Sequence, residues 1–423
     1  MCTANIIRRQ VPWTLILVAI LPLLATLPLP VAWAEEEEAR SAVKKTKKNR
    51  RDEISSQDVF SLDANIQTGW NSNVYLTPEG EYLDPQTLTY EKSTPANSFF
   101  VNADLTASMT PVHDKYWTTQ FSLEYAPDIY LGSGNVKNAS GSNTKLSFEQ
   151  KYRSDTEKGG VLKKYKGGFE FYIEKKDYSY LHRGTGALRK TAGGTEEDNR
   201  YDYLETGFYL NFSTYFKGRT KWDVKLGQLS RDYDEISVLA SLDRKEDQIY
   251  TKISKGLDKR WEIFADMDLK TLSYDTHRAE SATGARVNGT RRKYIESSVS
   301  LGLGYDYGKW NSSIEYEASK RDDTYAGYWS YDQSKYAFKL EHAVGANQTC
   351  GLRLSGSERK YAKDTNPVGQ LRVRTVSSAD LSYEKEQSWG NTSFGISYDD
   401  QRDTDTYYSY KRTIAFIGYE REF

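Results

Sequence analysis

The stretch SFFVNADLTASM, residues 98–109, changes between apolar and polar side chains at almost every step. Such a period of two is that of a β-strand, whose successive side chains point to opposite faces. The apolar face carries Phe99, Val101, Ala103, Leu105, Ala107 and Met109. The other face carries Phe100, Asn102, Asp104, Thr106 and Ser108. The stretch therefore predicts a strand with one apolar face and one wet face.

The same alternation recurs along the chain from Phe60 to the end. Segments of about ten residues that alternate without a helical period are typical of transmembrane β-strands. We expect sixteen of them, at 60–71, 98–109, 117–130, 143–153, 164–178, 201–215, 221–233, 248–255, 261–274, 293–305, 310–320, 334–343, 349–359, 372–383, 391–400 and 408–423.

The connections between these segments alternate in length. Seven are short turns, such as KGRT and DYGK, and eight are longer, including 72–97 and 179–200. Short periplasmic turns and longer outer loops are the pattern of outer-membrane barrels. The predicted fold is an all-β, antiparallel, up-and-down transmembrane barrel of about sixteen strands, with short periplasmic turns and long extracellular loops.

Aromatic residues mark the two ends of the predicted strands. Trp117, Trp222, Trp261 and Trp310 open strands just after short turns, each with a Lys or Arg close upstream. Indoles beside cations predict a periplasmic aromatic girdle at headgroup level. Tyrosines cluster at the long-loop ends, and we expect them to form the upper girdle: Tyr125, Tyr130, Tyr178, Tyr180, Tyr233, Tyr325 and Tyr328.

The N-terminus has the pattern of an export signal. Residues 1–34 combine Arg8 and Arg9, a long apolar run and a final AWA, which predicts a cleaved signal peptide. Residues 35–58 carry an acidic and then a basic block without apolar periodicity, which predicts a disordered periplasmic tail. Residues 59–423 are then the barrel, and the predicted location is the bacterial outer membrane, with its lipid as a partner.

Composition narrows the function classes. The mean hydropathy of −0.74 and the lack of a second long apolar run argue against a helical membrane protein. After cleavage one cysteine remains, Cys350, so we expect no internal disulfide framework. A net charge of −1 gives no support for nucleic-acid binding.

The last strand, RTIAFIGYEREF, ends on a bare aromatic residue. Ile417, Tyr419 and Phe423 alternate in a way that resembles the terminal signal read by the barrel-assembly machinery of Gram-negative bacteria. Arg421 departs from that pattern, which usually has an apolar or aromatic residue at this position. In a closed barrel this strand must pair with the first, because lipid offers no partner to bare backbone.

The first strand contains GWNSNV, residues 69–74. This short stretch resembles the opening of barrels in a group of outer-membrane proteins classed as β-barrel porins. Related barrels occur in surface-polysaccharide and lipoprotein-export systems. The tetratricopeptide region found before some of them is absent here, which counts against the lipoprotein-export branch.

The residues that could carry chemistry are sparse. The four histidines show no metal-ligand spacing, and DTDTYYS lacks the Gly and distal Glu of a calcium loop. Asp275 and His277 form one local carboxylate–histidine pair near an outer loop. Such a pair is a weak signal in a Ser- and Asp-rich chain, so we expect no enzyme, no metal and no cofactor.

The inward face of the barrel is the remaining source of function. Its predicted charges are of both signs: Lys145, Lys225, Arg231, Lys252, Arg353, Arg374 and Arg412, with Asp104, Glu124, Asp266, Glu296 and Glu315. The mixture favours a porin-like channel for small polar solutes. Two alternatives stay open: an accessory barrel for export or assembly of a surface polysaccharide, and a non-conducting surface anchor or adhesin.

Overall fold

The computed structural model describes residues 59–84, 89–114, 116–155, 162–190, 194, 199–234 and 241–423. The predicted signal peptide, residues 1–34, and the predicted tail, residues 35–58, lie outside the described residues. Within the described part of the chain, no helix has the length and apolar character needed to cross a membrane.

Strands make up most of the described chain. They are β1 (Phe60–Asn71), β2 (Glu81–Leu83), β3 (Tyr90–Lys92), β4 (Ser98–His113), β5 (Trp117–Tyr130), β6 (Gly141–Asp155), β7 (Leu162–Tyr178), β8 (Tyr203–Phe216), β9 (Thr220–Tyr233), β10 (Arg244–Gly256), β11 (Trp261–Tyr274), β12 (Lys293–Tyr307), β13 (Trp310–Asp323), β14 (Tyr331–Gly345), β15 (Gln348–Thr365), β16 (Leu371–Gln387), β17 (Gly390–Asp403) and β18 (Tyr410–Glu422). Two short 3-10 helices, Gly134–Ala139 and Thr406–Tyr408, lie in loops.

Sixteen of these strands form one closed antiparallel barrel, which confirms the predicted fold class. Each strand pairs with its neighbours along the chain, and β1 pairs with both β4 and β18. The hairpin β2–β3 lies outside the barrel wall, in the loop after β1. Closure gives every wall strand two partners, which is the condition for strands to cross lipid.

The barrel closes at the last residue of the chain. The backbone N–H of Phe423 donates to the carbonyl of Leu62 at 2.8 Å, and the Leu62 N–H donates to the Phe423 carbonyl at 3.2 Å. Between β1 and β18 the register runs from Asp63 opposite Glu422 to Asn71 opposite Ile414. The terminal residue is therefore part of the seam.

The outer wall is apolar and exposed. Phe99 is 63% exposed and Ile314 58% exposed, and both lie on the face whose side chains point away from the lumen. Large apolar side chains with this exposure on most strands form a continuous apolar surface, which a water-soluble monomer rarely has. Trp117, Trp222, Trp261 and Trp310 lie on this face near the short turns, 38–44% exposed, and their role as a girdle stays a prediction.

Seven strands, β6, β10 and β13 to β17, extend farther on the loop side than the alternation predicts, whereas β8 and β18 begin two residues later than predicted. β15 runs to Thr365 and β16 begins at Leu371, so the loop between them is only 366–370. A register shift follows Lys360 in this pair, beyond which the side chains are mainly polar. Backbone pairing continues there above the apolar band, so a hydropathy pattern cannot detect it.

Candidate functional site

The inward face of the barrel is polar and carries paired charges. Alternation and register place Asp399 opposite Arg412, and the two side chains meet at 2.6 Å. Lys145 lies 3.3 Å from Glu170, and Arg374 lies 2.8 Å from Asp403. Pairing across neighbouring strands neutralises much of the wall charge.

The other predicted inward charges have different surroundings. Arg231 pairs with Glu205, and Glu296 accepts a 2.6 Å hydrogen bond from Arg321. Lys225 lies over the Tyr209 ring at 3.5 Å, and Lys252 over the Phe264 ring at 4.1 Å. By register, Asp104 is opposite Asn65, Glu124 opposite Lys145, Asp266 opposite Lys252, Glu315 opposite Gly302, and Arg353 opposite Asp380. Their role in solute passage stays a prediction.

Tyrosines and arginines alternate around the loop-side end of the lumen. Arg321 lies 4.8 Å from the Tyr294 ring and 4.9 Å from the Tyr331 ring, and Arg359 lies 4.2 Å from Tyr331. We call Tyr203, Arg231, Tyr294, Arg321, Tyr331, Arg359, Tyr361 and Arg372 the tyrosine–arginine belt. The guanidinium groups combine cation–π contacts with polar partners, such as Glu296 for Arg321 and Gln333 for Arg359.

The side-chain orientation of three tyrosines corrects part of the predicted upper girdle. Tyr130 accepts a hydrogen bond from Asn71 at 3.1 Å, and Tyr178 donates to Asp128 at 3.0 Å. These tyrosines and Tyr233 belong to the inward face, because they share the parity of the inward charges on their strands. The alternation of faces along each strand already places these tyrosines inward. Their location near the strand ends, taken alone, is equally typical of a lipid interface.

Inward aromatic rings lie against glycines of neighbouring strands. A Cβ built on Gly302 would come within 2.0 Å of the Phe264 ring, and one on Gly395 within 2.3 Å of the Phe416 ring. Because glycine has no side chain, each ring lies along the wall instead of projecting into the lumen. A larger residue at either position would displace the ring from the wall.

Three loops are joined over one side of the mouth. Asp84, fully buried, lies 3.0 Å from Nε2 of His182 and 3.3 Å from Arg189, which is 2% exposed. Arg189 also donates to the Tyr407 hydroxyl at 2.5 Å. The carbonyl of Tyr407 accepts a 3.0 Å hydrogen bond from Arg183. We call Asp84, His182, Arg189 and Tyr407 the loop lock.

The loop lock spans a wide part of the rim. Asp84 follows β1, Arg189 follows β7 and Tyr407 precedes β18. The loop after β5 joins it, because Asn135 donates to the Thr185 carbonyl at 3.0 Å. These elements belong to one run of neighbouring strands, β18-β1-β4-β5-β6-β7, so the joined loops lie over that side of the rim.

A possible set of metal ligands overlaps the loop lock, but its hydrogen bonds argue against a bound metal. Ligand atoms of Asp84, Glu91 and His182 lie within 4.8 Å of one another. However, Nδ1 of His182 accepts a 3.2 Å hydrogen bond from the Gly184 N–H. A histidine that binds a metal through Nε2 carries its hydrogen on Nδ1, but Nδ1 of His182 is the atom that accepts this hydrogen bond. Arg189 supplies the positive charge that a cation would otherwise provide.

The Asp275–His277 pair does not form a catalytic arrangement in the described structure. His277 is 6% exposed, and its Nδ1 has no hydrogen-bond partner. Burial and the nearby Arg292, Arg286 and Arg200 lower the pKa of His277 to about 4. A general base needs an orienting partner and a pKa near the working pH, and this ring has neither.

Comparison with known proteins gives structural matches only. No protein-family model and no curated protein matches the chain. A BenF-like porin from Pseudomonas fluorescens Pf-5 is similar with a TM-score of 0.44 and 10% identity, over 87% of this chain and 99% of that chain. OccAB1 from Acinetobacter baumannii has a TM-score of 0.47 and 8% identity, over 86% and 97%. Pseudomonas aeruginosa OpdK, solved with vanillate, has a TM-score of 0.43 and 9% identity, over 86% and 99%.

Proposed function

We propose that this chain is an outer-membrane, porin-like channel for small polar solutes. The observation that carries the proposal is the closed barrel of sixteen strands with an apolar outer face and a charged inner face. A barrel of this size is too wide for its own side chains to fill and leaves an aqueous lumen. Passage through such a lumen needs no chemical step.

The outer face suits a lipid environment. Its apolar residues are exposed on most strands, and every wall strand has its backbone paired on both sides. In water such a surface would drive aggregation, whereas in lipid it is satisfied. The terminal strand, with Ile417, Tyr419 and Phe423, is the segment that the barrel-assembly machinery would read.

The lumen suits solutes that are polar and not strongly selected by charge. Its charges are of both signs and largely paired, so the wall has no strong field of one sign. The joined loops narrow the entrance, which favours small solutes over polymers.

Permeation of sugars of increasing size into liposomes tests the proposal. Liposomes that contain the folded barrel should take up a monosaccharide faster than a disaccharide, and a disaccharide faster than a tetrasaccharide. The control is the same protein heat-denatured before reconstitution. Uptake no faster than the control, both for the wild type and for a variant with its loop lock broken, would reject the channel.

A further inference from the structure

The loop between β11 and β12, residues 275–292, contains a cavity that the channel does not use. It has a volume of about 370 Å³ and is lined by Thr276, His277, Arg278 and Arg286. Since one water takes about 30 Å³ of liquid volume, the cavity has room for about a dozen waters. We call it the arginine pocket.

A buried polar atom without a partner lies at the arginine pocket. His277 lines the pocket, is 94% buried, and its Nδ1 has no hydrogen-bond partner among the described residues. Its backbone is fixed, because its carbonyl accepts a 2.8 Å hydrogen bond from the Arg292 N–H. Buried polar atoms in native proteins are normally paired, so the unpaired Nδ1 at the cavity wall is open to a ligand.

The two arginines that line the pocket form no ion pair with any of the described residues. Arg286 forms no ion pair within the described part of the chain, and Arg278 bonds to the neutral amide of Asn288. The nearby carboxylate of Glu280 is already paired with Arg292 at 2.5 Å. Burial and the charges of Arg292, Arg286 and Arg200 also lower the pKa of His277 to about 4, so its ring is neutral at pH 7.

The loop is preorganised around the pocket. The Val287 N–H donates to the Ala279 carbonyl at 2.9 Å, and the Thr290 hydroxyl donates to the Val287 carbonyl at 2.7 Å. The backbones of Glu280 and Arg286 pair in an isolated antiparallel β-bridge. A ligand would therefore enter a formed pocket and lose little affinity to ordering the loop.

We propose that the arginine pocket binds a phosphate group, held by the guanidinium groups of Arg278 and Arg286 and by Nδ1–H of His277. Guanidinium forks match phosphate oxygens in geometry and charge, and a neutral imidazole adds one donor that is otherwise unpaired. The volume accommodates a phosphate together with part of the molecule that carries it. That carrier is either a phosphorylated lipid of the outer leaflet or a free phosphorylated solute.

Calorimetric titration of inorganic phosphate into the full-length barrel in non-ionic detergent tests the site. Arg286→Gln should weaken binding about tenfold or more, because it removes charge-assisted hydrogen bonds. The matched control is Lys137→Gln, which removes one positive charge from the loop side but lies outside the pocket, and should change affinity less than twofold. Equal binding by wild type and both variants, or no binding by the wild type, overturns the proposal.

A second measurement covers the case in which Arg286→Gln fails to fold. In the wild-type protein, phosphate should slow hydrogen exchange of the amides at 276–290, and chloride at equal ionic strength should not. The same exchange with either salt overturns the proposal. Competition by monophosphoryl lipid A, but not by its dephosphorylated form, identifies a lipid carrier, whereas phosphate binding without such competition identifies a soluble one.

Discussion

Replacing Asp84 by alanine removes the carboxylate at the centre of the loop lock. In the folded protein Asp84 is fully buried and lies 3.0 Å from His182 and 3.3 Å from Arg189. The variant removes the carboxylate that lies 3.3 Å from the Arg189 guanidinium, which is itself 2% exposed. The loops after β1 and β7 should then separate, while the barrel wall, which pairs strand to strand without Asp84, stays intact.

The size of the effect follows from the burial of the pair. Breaking a buried ion pair by removing one partner costs about 3–5 kcal/mol, because the remaining charge stays desolvated. Each tenfold change in an equilibrium constant corresponds to about 1.4 kcal/mol. The ratio of closed to open loops should therefore fall by roughly two to four orders of magnitude. The free energy of unfolding of the barrel itself should change little.

Chymotrypsin cleavage after Tyr82 measures the closed population. Tyr82 has no exposed surface in the closed loops, so cleavage requires opening. We expect the folded Asp84→Ala barrel to be cut at least a hundredfold faster than the wild type. The control is Glu79→Gln, which removes an exposed partner of Lys411 at 3.0 Å and should leave the rate unchanged. Equal rates for wild type and Asp84→Ala would show that the lock does not hold the loops.

Three further predictions concern the wall, the seam and the arginine pocket. Gly302→Ala should lower the free energy of unfolding in vesicles by about 1–3 kcal/mol, because the new Cβ would lie 2.0 Å from the Phe264 ring. The control Gly304→Ala, whose Cβ would have its nearest atom at 3.8 Å, should have little effect. Equal losses of stability in the two variants would contradict the ring packing. Deleting Phe423 should reduce the membrane-inserted fraction, judged by heat-dependent gel migration, far more than Arg421→Tyr does, and normal insertion of the deletion would show that the terminal ring is not read. The pKa of His277 in the folded loop, about 4, lies below its ordinary value of 6.5. Between these two pH values the unfolded loop binds more protons than the folded loop. The folded loop should therefore lose stability as the pH falls from 6.5 to 4. Hydrogen exchange of residues 276–290, corrected for intrinsic rates in phosphate-free buffer, should show this loss in the wild type and not in His277→Gln.

The strands could be predicted because lipid and water impose a simple alternation on the wall. All sixteen expected segments correspond to wall strands, and β5 and β11 have the predicted bounds, Trp117–Tyr130 and Trp261–Tyr274. The alternation fails where a strand leaves the apolar band, which is why β15 extends to Thr365. Above that level both faces are wet, and nothing in the residue pattern distinguishes strand from loop.

The sites could be predicted only in part. The inward charges follow from the alternation of faces along each strand, and the same alternation places Tyr130 on the inward face with Glu124. The loop lock had no such signal, because Asp84, Arg189 and Tyr407 are far apart in the chain and meet only when the barrel closes. Likewise the sequence places His277 beside Asp275, but the unpaired Nδ1 of His277 is a property of the folded loop.

Single-channel recording with two adjacent cysteine variants tests the central claim most directly. In a Cys350→Ser background, Ser298→Cys places a thiol on the inward face of β12, where Ser298 is opposite Asp268 and Ser319, and Val299→Cys places one on the outward face. A charged, water-soluble methanethiosulfonate reagent should reduce the current through the Ser298→Cys channel in planar bilayers and leave the Val299→Cys channel unchanged. No current through either variant, or a current that modification of residue 298 does not alter, would contradict an open aqueous lumen.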